Sequence, residues 1–555
     1  MGSGGVSGTV TVSRRAILLG ALAATACHTG EVGTIPSASS ARAGAVDAHT
    51  HFFNLADLPV AGFVTHVLLG QYTTPPEWAA GMIDFITGMA KRFAKSAQQE
   101  ANALGILTEL DARAFGEAAA TYVDERLATA SAASGEEADL VQSYEALLRA
   151  LEEDTDTAVT PSTGGTVAAT AVDSKRRAFQ RAAEMEERQD AVTAGFNPVA
   201  AVGAVGRTIG WVSLMIRSRE THIKAYLKDQ PSSDREPRAM ASLLVDYDLW
   251  LDDTPAAGSA PLDQIRIMHL LRGRMATRAD IRLFAGICPL RLALSRAKGK
   301  PALFDDIKGE LAAGRVHGFK IYPPMGFRAT DNAALDNVDF DPAPSWRVTA
   351  WDRWRNETGN IAPHALGQAL DAALDEVYAH AARKRVPIVA HAGSGNAAGK
   401  GFGARANPIY WERVVARHPI CLSIGHLVND ATPFIKAMRG ERAKEGVWAL
   451  DAPLRMLNRN QPNPPDIYGD LAYMPELNDA EICKAFFEEL ANAFRPGDAK
   501  LERILYGTDW IMYGREAHSD QFLSVVERGM RAARYTGEQI DNILWNNGKR
   551  FLGVA

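Results

Sequence analysis

His49 and His51 stand two residues apart in the run VDAHTHF, a segment of β character. Successive side chains of a strand point to opposite faces, so both imidazoles project the same way and can grip one cation. Such a pair is weak evidence alone: with 13 histidines in 555 residues, roughly 0.3 H-x-H pairs arise by chance. Three later segments strengthen it. VPIVAHAGSGN, CLSIGHLVND and ERILYGTDWIMYG place His391, His426 and Asp509 where an apolar run gives way to Gly, Asn or Thr. Polar groups at the carboxyl ends of parallel barrel strands are where a (β/α)8 enzyme keeps its chemistry. Taken alone, His391 reads as a core histidine bonded to backbone. Taken together, neutral imidazoles and a carboxylate form a suitable shell for zinc or a similar divalent ion. Strand period puts Asp47 on the same inward face, where it is expected to support the site rather than ligate.

On these residues the chain resembles the amidohydrolase superfamily, and within it the amidohydrolase-2 group of metal-dependent hydrolases and nonoxidative decarboxylases. The resemblance puts His49 and His51 at the end of strand one, His391 at strand five, His426 at strand six and Asp509 at strand eight. GFKIYPPMG, with Lys320 and Tyr322, is similar to strand four, and ILWNNGKRFLG, with Asn547, to the final helix. It covers about residues 45–54 and 239–555. The implied fold class is α/β, a (β/α)8 TIM barrel with a large helical insertion after strand one. The implied ligands are His49, His51, His391 and Asp509, around one divalent ion, zinc first, with manganese or another ion left open. Asp509 and His426 are the implied catalytic pair. Lys320 either pairs with an acid or a substrate anion, the favoured role, or is carboxylated and bridges a second metal.

The reaction these residues suit is metal-assisted hydrolysis of an amide, lactone or ester of a small carboxylic acid, with Asp509 moving the proton and His426 stabilising the oxyanion. The nearer alternative is nonoxidative decarboxylation of an aromatic or unsaturated acid. The alternative from another class is a non-catalytic exported binding protein on a barrel scaffold. After strand four, PAPSWRVTAWDRWRNETGN carries Trp346, Trp351, Arg353, Trp354 and Arg355. Lys320, Tyr322, Trp351 and Arg353 are therefore the candidate substrate contacts, offering aromatic surface and cationic grips to a planar acid.

The remaining chain frames this site. Residues 1–27 read as a signal peptide: Arg14 and Arg15 after Ser13 resemble a twin-arginine signal, followed by the apolar run AILLGALAATA. About ten apolar residues cannot span a membrane core that needs about 20. Cys27 after ATA is a candidate for lipidation, which would be the chain's sole membrane attachment. Residues 28–44, rich in Ser, Ala and Gly, read as a tether. The expected location is outside the cytoplasm, periplasmic or attached to the cell envelope. Residues 45–54 and 238–555 form the expected barrel, with 55–237 as an insertion of amphipathic helices around the low-complexity stretch TDTAVTPSTGGTVAATAVDS. That block either covers the active-site face or serves as a stabilising or dimerising lobe. A net charge of −6 without a sustained basic run points to a small-molecule substrate and away from nucleic acid. Homo-oligomer formation is left open. Cys288, Cys421 and Cys483 read as packing residues, an odd number in an exported chain being a poor disulfide framework.

Overall fold

The computed structural model describes residues 43–68, 86–88, 90–91, 94–104, 214–232, 234–251, 257–341, 349–428, 430–440, 451–458, 466–516 and 518–554. The leader, Cys27, nearly all of the tether and the centre of the expected insertion lie outside them. One compact unit comprises Ile35–Ala79, Ile86–Gly105 and Met215–Ala555; of a second, which includes Ile106–Leu214, only Leu214 is described. Both described ends of the expected insertion fall in the same unit as the strands. No described helix is long and apolar enough to cross a membrane.

Eight strands form one sheet: β1 Ala43–Thr50, β2 Arg235–Leu243, β3 Asp280–Gly286, β4 Gly318–Ile321, β5 Ile388–His391, β6 Leu422–Gly425, β7 Ile467–Asp470 and β8 Ile504–Leu505. They pair in parallel, each with the next in sequence. The ring is drawn together by the Ala48 N–H, which donates to Tyr506 O at 2.9 Å, and the Asp509 N–H, which donates to His49 O at 2.8 Å. Helices fill the crossovers, so the (β/α)8 architecture expected from alternating strand and helix patterns is present. β1 starts at Ala43 and β2 at Arg235, each a few residues ahead of the sequence expectation.

The helices carry the stops and starts that their sequences encode. Pro408 opens Pro408–Arg417 in the first turn, where its missing N–H costs nothing, and the Asn407 side chain accepts from Ile409 N–H. Asp479 caps Ala480–Phe494 by accepting from Glu481 N–H and Ile482 N–H. Asn547, in the closing helix Asn547–Leu552, donates to the carbonyls of Leu501 at 2.8 Å and Ile504 at 2.6 Å, fastening that helix to β8.

Strand register sorts the barrel interior into two layers. Leu243, Phe284, Val389, Tyr468 and Leu505 belong to one apolar cluster with Val46, Phe551 and Leu552. Phe551 stacks on Phe284 at 6.1 Å and meets Tyr468 edge-on at 5.4 Å. Burying an aromatic side chain of this size contributes about 2–3 kcal/mol. Two residues further along β4, β5, β6 and β7, on the same face as Gly318, Val389, Ser423 and Tyr468, the side chains become Lys320, His391, Gly425 and Asp470. The apolar layer is the floor on which the polar one stands.

Candidate metal centre

β1 reaches the polar layer through an irregularity. Asp47 pairs with Met240 of β2, but Thr50 pairs with Ser242, one partner short of regular spacing. Such a bulge reverses the alternation of side chains beyond it. Val46, paired with Ala239, therefore lies on the floor side, while His49 and His51, at odd positions, still turn into the polar layer. Asp47 does not accompany them. It accepts from the Thr508 N–H (3.1 Å) and hydroxyl (2.7 Å), the Tyr226 hydroxyl (2.8 Å) and the His49 N–H (3.1 Å). The expectation that Asp47 shares the inward face is corrected: it is spent joining β1 to the segment after β8. Burial pushes its pKa up to about 7 against those four donors.

His49, His51 and Asp509 are buried, and one ligand atom from each lies within 4.8 Å of the other two. His51 Nδ1 sits 2.9 Å from Leu243 O. A carbonyl only accepts, so Nδ1 carries the proton and Nε2 presents a lone pair. That Nε2 faces Asp509 Oδ1 at 3.3 Å, and His49 Nε2 faces the same oxygen at 3.7 Å. Burial lowers the pKa of both imidazoles, most strongly that of His49. Three acceptors thus converge without a donor among them, which is the arrangement of a ligand set for a cation. Burial pushes Asp509 up, but interaction with the protonated forms of His51, His426 and His49 outweighs it and lowers the carboxyl to about 2.

His391, the fourth expected ligand, is outside this mutual group. Its ring stacks on Tyr322 at 4.0 Å and stands 4.5 Å from the ring of His426, itself 4.8 Å from that of His49. The Nε2 atoms of His391 and His426 are both buried without a hydrogen-bond partner. His426 Nδ1 lies 3.0 Å from the Ala472 carbonyl, so it holds the proton and Nε2 is again an acceptor. His426 and Asp509 adopt φ of 56° and 59°, a left-handed conformation costing about 1 kcal/mol or more. Lys320, 2% exposed, reaches 3.1 Å from His49 Nε2. Burial lowers its pKa to about 8, with Asp470 and Asp509 pulling the other way.

Asp470, the last residue of β7, was not singled out from sequence. Its Oδ2 is 3.0 Å from His49 Nδ1 and 3.2 Å from the Ser423 hydroxyl, and its Oδ1 accepts from the N–H groups of His426 (3.0 Å) and Ala472 (3.3 Å). IYGDLAY places this acid at a strand end much as ILYGTDW places Asp509, and that parallel was the available signal. Glycines make room for the cluster: a Cβ on Gly425 would lie 2.6 Å from Ala390 O and 2.9 Å from His49 Cε1, and one on Gly507 2.8 Å from His49 Cβ.

The exit of β1 is anchored by buried Arg219, which donates through Nε to Asp57 (3.0 Å) and pairs through Nη1 with Glu100 (2.8 Å); Asn54 also donates to Glu100 (3.1 Å). Beside Lys320 and Tyr322 runs a narrow recess lined by Tyr247, Trp250, Ile287, Met325 and Phe327. Tyr247 and Tyr322 meet edge-on at 5.2 Å, and Trp250 stacks on Phe327 at 5.4 Å. Lys320 and Tyr322 are thus the candidate substrate contacts that the fold brings to the cluster. Trp351 and Arg353 lie on Ala350–Thr358, whose main neighbours are Pro289–Ala297 and Asn337–Phe340; Trp346 is outside the described residues. Cys288, Cys421 and Cys483 are free thiols, the first and last buried.

Compared with family models, with curated proteins and with solved structures, the chain matches none.

Proposed function

We propose that this chain is a metal-dependent hydrolase acting on an amide, lactone or ester of a small carboxylic acid. One observation carries the reading: His49 Nε2, His51 Nε2 and Asp509 Oδ1 converge as buried acceptors with no donor among the three. A histidine pair and a carboxylate are donors that zinc and similar divalent ions take readily. In this reading those three hold one ion, and His391, with its partnerless buried Nε2, is the fourth donor. A second ion enters only if Lys320 is carboxylated. The bound ion would supply Lewis acidity toward the substrate carbonyl and toward water.

The side chains do the rest. Asp509, held ionised, accepts the proton of the attacking water and returns it to the leaving group. His426 carries its resting proton on Nδ1, so it donates to a developing oxyanion only when Nε2 also takes a proton. Lys320 pairs with a free carboxylate elsewhere on the substrate, and the recess beside Tyr322 receives the apolar part. In the same reading the leader carries the enzyme out of the cytoplasm, with Cys27 as its candidate anchor.

Decarboxylation of an unsaturated or aromatic acid is the second reading, favoured by the nearness of Lys320 and the aromatic recess to the same cluster. Zinc-loaded protein is incubated in ¹⁸O-water with esters, lactones, anilides and free forms of aromatic acids. Incorporation of ¹⁸O into the released acid, lost in Asp509→Ala, is expected. Release of carbon dioxide without ¹⁸O incorporation overturns hydrolysis in favour of decarboxylation, and absence of bound metal overturns both.

A further inference from the structure

We infer that Asp470 is a positioning residue that sets the tautomer of His49 and thereby makes that imidazole competent to take a metal, an assignment resting on the metal-centre reading above. The two ends of the His49 ring meet groups of opposite character. At Nε2 stands the Lys320 ammonium, a donor only, at 3.1 Å; at Nδ1 stands the Asp470 carboxylate, at 3.0 Å. Both contacts demand the same tautomer, with the proton on Nδ1 and the lone pair on Nε2. Remaining lone pairs of Asp470 are committed: Oδ1 receives the His426 and Ala472 N–H groups, and Oδ2 also receives the Ser423 hydroxyl. The carboxylate is fully buried and cannot turn without abandoning two backbone donors.

This arrangement gives the isosteric asparagine an unusual effect. In Asp470→Asn the amide oxygen must occupy the Oδ1 position, because the two backbone N–H groups there can only donate. The amide NH2 then occupies the Oδ2 position, facing Ser423 Oγ, which can accept, and His49 Nδ1. A donor at that place disfavours the proton on Nδ1 and drives it to Nε2, the nitrogen turned toward His51 and Asp509, displacing the Lys320 ammonium from its 3.1 Å contact. Elsewhere, asparagine in place of an aspartate that orients a catalytic histidine likewise preserves shape and imposes the wrong tautomer. Partners that orient metal-bound histidines are generally worth 10- to 100-fold in affinity. An inverted partner is expected to reach about 100-fold or more.

The test is made on the full chain, metal-free and with Zn²⁺ or Co²⁺ added. Competition with a chromophoric chelator gives affinity and stoichiometry, and ¹⁵N-histidine NMR, with His49→Gln assigning the resonance, reports which ring nitrogen bears the proton. Expected are a wild-type chain that binds metal with the His49 proton on Nδ1, and an Asp470→Asn chain that binds about 100-fold or more weakly with the proton on Nε2. Equal affinity in Asp470→Asn overturns this assignment alone, as does weakened binding with an unchanged tautomer, which would mark Asp470 as merely structural. If Asp470→Asn fails to fold, the wild-type spectrum still decides: a proton on Nε2 overturns the assignment. A wild-type chain that binds neither ion overturns the metal-centre reading itself.

Discussion

Replacing Lys320 with methionine should tighten metal binding. Lys320 is 2% exposed and its Nζ lies 3.1 Å from His49 Nε2, the atom that a metal must claim. Loading the site breaks that contact and leaves a buried cation beside a second cation. A hydrogen bond to a charged group is worth about 1.5–3 kcal/mol net. Methionine has similar length, leaves His49 Nε2 unengaged and removes the charge, so this cost disappears on loading. At about 1.4 kcal/mol per decade, affinity for Zn²⁺ should rise roughly 10- to 150-fold, with stoichiometry still near one. Chelator competition at fixed pH, beside elemental analysis, measures both. Catalysis should move the other way, through a raised KM for substrates bearing a free carboxylate. The reasoning fails if Lys320→Met binds metal more weakly. A fall in stoichiometry from two to one would show instead that a carboxylated Lys320 bridges two ions.

His426→Ala should leave metal content unchanged and lower kcat by about 10²-fold or more, the usual scale of acid–base assistance; loss of metal would move His426 into the ligand set. Gly425→Ala should cost about 1–3 kcal/mol of stability, since its Cβ would press on Ala390 O and the His49 ring, and should weaken metal binding in the same sample. Denaturant titration with chelator competition checks the pair, and unchanged metal affinity would show that His49 can give way. Burial, followed by Arg272 and Arg282, lowers the pKa of His317 from 6.5 to about 4, and the neutral ring accepts from the Leu283 N–H at 3.2 Å. The unfolded chain takes that proton first, so the stabilisation is complete above pH 6.5 and is lost as pH falls toward 4. His317→Gln should flatten stability over that window by about 1 kcal/mol, allowing for partial exposure; an unchanged slope between pH 4 and 6.5 would refute it.

What the sequence disclosed, and what it hid, follows from the range of the forces involved. His49, His51, His391, His426 and Asp509 were legible because each follows a short apolar run, and such runs mark the ends of buried parallel strands. Tyr322 and Lys320 came with strand four for the same reason. Asp47 was misdirected because alternation was carried straight through β1, whereas the register slip before Thr50 depends on how β2 pairs with it. Asp470 went unremarked among 66 acidic residues, for its importance lies in four donors supplied by β1, β6 and its own turn. Trp351 and Arg353 were linked to the pocket by their place after strand four and by residue type, neither of which says which side of a helix meets the barrel.

The three converging acceptors are far apart in sequence: His49 in the first strand and His51 just after it, Asp509 just beyond the last. Asp47 and Thr508, which fasten that same seam, are 461 residues apart. A ribosome therefore finishes all eight strands before Asp509 exists, and no shorter nascent chain holds all three acceptors. On the proposed reading an ion meets the full set only once the barrel is complete, so the metal supply where the finished barrel first meets it decides which ion the site takes.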